Sequence, residues 1–133
     1  MSQPVLSSEI TIRVRYAETD RMGLLHNANY LIYFEQGRIE LLRSRGIAYR
    51  DLEDQGYLLV LSRMEVHYRG PARYDDLLTL RTSVIKATMA RVEHRYELLR
   101  GETLLAEGNS TLVCVNREGH IQQLPPVLTR DLT

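Results

Sequence analysis

The sequence predicts an α+β fold in which one antiparallel sheet curls around a single long helix. Three observations carry that expectation. Over residues 9–16, Ile10, Ile12, Val14 and Tyr16 alternate with Glu9, Thr11, Arg13 and Arg15, the period of a strand with one buried face. Over 27–45 the pattern in "NANYLIYFEQGRIELLRSR" changes to helical spacing. From residue 60 onward it returns to alternating runs separated by short polar turns.

The first strand is expected over 9–16. The helix follows over 27–45, with Leu31, Phe34, Arg38, Leu41 and Leu42 at helical spacing and Gly46 where a left-handed C-terminal cap belongs. Its first turns, 30–34, are apolar on every side, so that end should be wrapped by the sheet. A short second helix, "AYRDLEDQ", should end at Gly56. In the next strand Val60, Ser62, Met64, Val66 and Tyr68 alternate with Leu61, Arg63, Glu65 and His67, until "GPARYDD" breaks the run. Further strands are expected over 77–88, 91–100 and 103–117, turned by short polar links such as "RGE" and "REG", as antiparallel neighbours require. An extended tail begins at "LPP". One helix covers only one face of such a sheet, and long strands leave edges with unpaired backbone groups, so a homodimer or higher oligomer is expected.

A length of 133 residues fits one domain, 1–133. Seventeen basic side chains balance seventeen acidic ones, which argues against a general nucleic-acid binder. No stretch approaches the roughly 18–20 continuous apolar residues of a membrane-spanning helix, so no membrane span is expected. "MSQPVLSSE" lacks the basic and apolar regions of a secretory signal, and the single Cys114 has no partner for an internal disulfide, which suits a cytoplasmic protein.

The polar stretch "YAETDRMGLLHNANY" stands between strand and helix. Asp20 lies in a loop that Gly23 allows to turn tightly, and Asn27 follows near the first turn of the helix. Backbone N–H groups there lack intrahelical partners and sit at the positive end of the dipole, so they favour an oxyanion or a polarised carbonyl. A carboxylate beside such donors can attack an acyl carbonyl or deprotonate the water that attacks it. The same spacing also suits a loop aspartate closing an Asx-turn and an asparagine N-cap. Glu18 is a reserve carboxylate. Glu35, about 12 Å up the helix from Asn27, is too distant for the same carbonyl and is expected to pair with Arg38.

Other chemistries find no footing. His26, His67, His94 and His120 lie in separate segments without metal-ligand spacing, so no metal is expected. There is no serine-hydrolase elbow, phosphate-cradling P-loop or dinucleotide-binding turn. Cys114 reads as a small buried hydrophobe; His67 and His94, in alternating strands, read as structural or solvent-facing.

Taken together, "YAETDRMGLLHNANYLIYFEQGR" and "EVHYRGPARYDDLLTL" resemble the 4-hydroxybenzoyl-CoA thioesterase family of hotdog-fold acyl-CoA thioesterases, over about residues 10–124. The most specific part is D-x-x-G followed by a small polar cluster and an aromatic residue, matched by Asp20, Gly23, His26-Asn27 and Tyr30. The resemblance implies a five-stranded antiparallel sheet around one long central helix, paired with a second subunit as a homodimer or homotetramer, with active sites at the subunit interface. It implies hydrolysis of an acyl-CoA substrate without a metal or other cofactor, coenzyme A being part of the substrate. Asp20 is then the catalytic carboxylate, as nucleophile or general base, and the Asn27 backbone N–H polarises the carbonyl.

Further expectations follow from the family. Tyr30 and Met64 are expected to line the acyl pocket, and Lys86 and Arg91, flanking the turn "KATMAR", to meet the coenzyme A phosphates. Many relatives carry Tyr-His where this chain has His26-Asn27. A backbone donor survives that change, but a histidine side-chain role does not pass to Asn27. The resemblance also allows a non-hydrolytic hotdog protein that binds an acyl thioester or a regulatory partner, against which Asp20 speaks. A hotdog dehydratase would carry a histidine motif that is absent here.

Overall fold

The computed structural model describes residues 6–131, so residues 1–5 of the segment read for a secretory signal lie outside the described part. The elements run β1 (Leu6–Arg13), a single 3-10 turn (Tyr16–Glu18), α1 (Asn27–Ser44), α2 (Tyr49–Asp54), β2 (Leu58–Tyr68), β3 (Leu77–Ala87), β4 (Val92–Arg100), β5 (Thr103–Val115), β6 (Ile121–Gln122) and α3 (Pro126–Asp131). All strand pairings are antiparallel, in the order β1-β3-β4-β5-β2, with the two-residue β6 also on β5. Five long strands and one long helix match the expected α+β architecture.

The inner face of the sheet follows the period of two. Leu78, Leu80, Thr82 and Val84 of β3 and Val92, His94, Tyr96 and Leu98 of β4 are buried, and the residues between them are more exposed. Ile10 and Ile12 lie opposite Leu80 and Leu78. α1 lays Tyr30, Tyr33, Phe34, Gly37 and Leu41 onto this face. Its C-terminus closes with two reversed hydrogen bonds, Gly46 N–H to Arg43 O at 3.0 Å and Ile47 N–H to Leu42 O at 3.0 Å, while Gly46 takes φ +79°. That left-handed residue is where the sequence places it.

Four expectations need correction. β1 stops at Arg13, because the Glu18 carboxylate accepts from the Arg15 N–H at 2.8 Å and closes a turn, which leaves Tyr16 exposed. The alternation in β2 breaks at a bulge between Leu61 and Arg63: Leu59 and Leu61 lie opposite Cys114 and Leu112, but beyond the bulge it is Met64 and Val66 that lie opposite Ser110 and Gly108. The segment after "LPP" is helical over Pro126–Asp131, with proline at the first helical position, where its fixed φ fits. The wrapping of α1 is one-sided: Tyr30, Tyr33 and Phe34 are buried, but Leu31 and Ile32 remain 40% and 58% exposed, because successive helical residues diverge by about 100° and the sheet reaches one side only.

Candidate active site

The loop after β1 is shaped by short-range bonds. Asp20 N–H donates to Leu24 O at 2.8 Å and Gly23 N–H to Asp20 O at 3.0 Å, with Gly23 at φ +78°, a conformation open to glycine and strained for other residues. Asp20 Oδ1 accepts from the Met22 and Leu24 N–H groups at 2.8 and 3.2 Å, the Asx-turn that the sequence allowed. Its Oδ2 has no hydrogen-bond partner among the described residues, and the side chain is exposed. One oxygen therefore holds the loop while the other is open to a reactant.

The helix start is fixed from the opposite direction. His26, not Asn27, is the N-cap: its Nδ1 accepts from the Ala28 N–H at 3.2 Å. Asn27 is the first helical residue, and its backbone N–H has no hydrogen-bond partner among the described residues. An unpaired donor at the positive end of an 18-residue helix suits a polarised carbonyl oxygen. Asp20, His26, Asn27 and Tyr30 line one open recess of about 450 Å³, together with Tyr68 and Arg69. Tyr30 is buried, and burial pushes its phenol up from the ordinary value.

Glu18 serves the scaffold. At 8% exposure it accepts from the Arg15 N–H, from the Arg15 guanidinium at 3.2 Å and from the Tyr33 hydroxyl at 2.8 Å. Burial alone would raise its carboxyl, but these donors and the Arg15 charge outweigh burial and hold it below the usual range. Burial, and then donation to Glu18, push the Tyr33 phenol well up. The Glu18 carbonyl in turn accepts from the His26 N–H and the Asn29 side chain, both at 2.9 Å. One residue thereby ties loop, helix start and core together.

The remaining candidates lie elsewhere. Met64 packs against the core cluster that contains Phe34, rather than lining the recess. Lys86 and Arg91 sit at the β3–β4 turn, about 30 Å along β3 from Leu77 at the recess end, taking about 3.3 Å per strand residue. Arg91 is engaged with Glu93 at 3.2 Å. Glu35 does not pair with Arg38, whose guanidinium donates to the Tyr96 hydroxyl at 2.9 Å instead.

Sequence reasoning missed Tyr68 and Arg69. The Tyr68 hydroxyl donates to Asn27 O at 3.1 Å, and its ring meets Tyr30 edge-on at 4.9 Å. Its place on the strand is visible in the alternation, but its nearness to the helix start depends on where β2 sits in the sheet. Among the described residues no group of three or more metal-ligating side chains converges, and no helix is long and apolar enough to cross a membrane.

Comparison with known proteins identifies the family. Residues 14–132 match the model of the thioesterase-like superfamily. The acyl-CoA thioester hydrolase YbgC of Escherichia coli O157:H7 is 31% identical over 106 residues, covering 79% of each chain. Among solved structures, the probable thioesterase of Bartonella henselae is 32% identical with a TM-score of 0.85, covering 90% of this chain and 99% of its own. The DHNA-CoA thioesterase of Staphylococcus aureus is 29% identical with a TM-score of 0.84, covering 91% and 81% respectively. A family match across nearly the whole chain, on a sheet and helix of matching architecture, places this protein in the thioesterase-like superfamily, with the hotdog fold.

Proposed function

We propose that the protein is an acyl-CoA thioesterase, hydrolysing a thioester to a carboxylate and free coenzyme A. The observation that carries this reading is the shared recess of the Asp20 carboxylate, with one free oxygen, and the unpaired Asn27 N–H. The thioester carbonyl oxygen takes the Asn27 N–H, which stabilises the negative charge developing on it. Asp20 either attacks the carbonyl carbon, expelling the thiolate and leaving an anhydride for water to open, or removes a proton from the attacking water. In both routes the net change is addition of water across the C–S bond. Neither route draws on a metal or other cofactor.

Within the protomer, Arg69 lines the recess, where it also pairs with Glu107 at 2.8 Å, and the segments that carry Arg21 and Arg73 flank it. Within one protomer these lie on the Asp20 side of the sheet and are the candidates for the coenzyme A phosphates there, whereas Lys86 and Arg91 sit at the β3–β4 turn. Two protomers pair through β2, the exposed edge strand that ends at the recess, as a homodimer or as a tetramer of two such pairs.

Asp20→Asn is a clean test, because asparagine Oδ1 still accepts from Met22 and Leu24 while the charge is lost. Thiol release from a panel of short-chain, long-chain and aromatic acyl-CoAs should fall by about 100-fold or more, with little change in Tm. Comparable turnover by the variant on every active substrate would remove Asp20 from the mechanism. A second reading has one observation in its favour: the Oδ1 bonds of Asp20 are also what a purely structural loop residue makes. Inactivity of the wild type across the panel, with acyl-CoA still bound, would establish that non-hydrolytic role.

A further inference from the structure

A second cavity, of about 160 Å³, lies toward the other end of α1. Most of its wall is aliphatic, from Ile39 and Leu42 of α1, Val92 of β4, Leu112 of β5 and Leu128 of α3. One end is polar, where Arg38 and His94 line it. His94 is 4% exposed, and its Nδ1 is buried without a hydrogen-bond partner among the described residues. Burial and then the Arg38 charge hold its imidazole down at about 3, so it is neutral at physiological pH. The Arg38 guanidinium is oriented by the Tyr96 hydroxyl, which also shares a hydrogen bond with Ser110 Oγ, and it forms no ion pair among the described residues.

A guanidinium offers five N–H donors in a fixed fork that matches a carboxylate, and among the described residues Arg38 donates one hydrogen bond, to the Tyr96 hydroxyl, with its guanidinium also 6.0 Å from the centre of that ring. Beyond the polar end the walls suit hydrocarbon. A dry cavity of about 150 Å³ accepts a benzene-sized molecule, which sets the size of the occupant. Glu35 also lines the cavity, but it is exposed and its charge is screened by water, whereas Arg38 is half-buried.

We propose that this cavity is a second binding site, for a small monocarboxylate with a single-ring or short aliphatic body, whose carboxylate meets Arg38 and His94. It is distinct from the recess at Asp20: Arg38 is eleven positions beyond Asn27, about 16 Å along the helix axis. A carboxylic acid is also what the proposed hydrolysis releases, so on that reading a product could occupy this site. Binding itself does not depend on hydrolysis.

Calorimetric titration with sodium benzoate and sodium hexanoate at pH 7, against benzyl alcohol and hexanol, tests the proposal. At least one acid should bind saturably with Kd below about 1 mM, and the matching alcohol at least tenfold more weakly. Arg38→Met keeps the aliphatic stem, removes the fork and should cost at least about tenfold in acid affinity; His94→Phe should weaken it several-fold. Asp20→Asn should leave it unchanged, which separates this site from the catalytic one. Amide shifts on adding benzoate should fall on 35–42 and 92–96. Absence of saturable binding, equal affinity for acid and alcohol, or shifts confined to 20–30 would overturn the proposal. Should Arg38→Met fail to fold, the acid-to-alcohol comparison in the wild type decides.

Discussion

Glu18 shows how one residue can organise a site without touching its chemistry. From spacing alone it competes with Asp20 as the reacting carboxylate, because loop direction is not encoded in separation along the chain. The structure commits both its oxygens to donors from Arg15 and Tyr33. Glu18→Gln should lower stability by about 1 kcal/mol at pH 7, the difference between charged and neutral acceptors. The folded carboxyl lies below its ordinary 4.5, so its contribution is complete above that value and is lost as pH falls through the folded value. The gap in Tm between wild type and variant should therefore shrink below about pH 4.5. His94 acts over a different range: with its ordinary 6.5 depressed to about 3, the unfolded chain takes up a proton that the folded one refuses. Wild type should lose stability between pH 6.5 and 3 that His94→Phe does not lose, readable as converging melting curves.

At the scale of elements, the contact of α1 with β3 sets how closely helix and sheet approach. A Cβ at Gly37 would overlap Thr82 Oγ1 and lie 2.8 Å from Leu80 Cδ2, so the helix can sit this low only because position 37 has no side chain. Gly37→Ala, favourable in an isolated helix, should instead destabilise the protein by about 1–3 kcal/mol, seen as a lower denaturant midpoint with unchanged slope. The boundaries of α1 and of the long strands are legible because each repeats its own period over many residues. The β2 bulge is not, since it arises where a strand must curve with its neighbours. Met64 illustrates the consequence: sequence places it near the helix, but its place in the core is beside Gly108 of the neighbouring strand β5 and Phe34 of α1.

At the scale of the whole molecule, β2 is an eleven-residue edge strand with Val60, Leu61 and Tyr68 well exposed, and Leu31 and Ile32 are exposed on the helix. An uncovered strand edge and these uncovered apolar side chains ask for a partner, and a second copy pairing β2 to β2 would extend the sheet across both protomers. Sedimentation at micromolar concentration should give at least twice the 15.4 kDa chain mass. Val60→Lys together with Leu61→Lys should shift it toward one chain and reduce thioester hydrolysis in parallel. A stable monomer that retains full activity would refute a site built at the interface.

The sequence by itself determined the α+β class, the span of the long helix, and the loop that carries Asp20 and Gly23, because each rests on local periodicity or on turn chemistry within a few residues. Only the tertiary structure decided which groups meet. Tyr68 and Arg69 reach the helix start because β2 ends beside the recess; Lys86 and Arg91 are carried to the opposite end of the sheet; and Arg38 leaves its helical neighbour Glu35 for Tyr96 on β4. Such contacts depend on strand order and on the depth of helix packing, set by the balance of burial over the whole chain rather than by any short stretch of it.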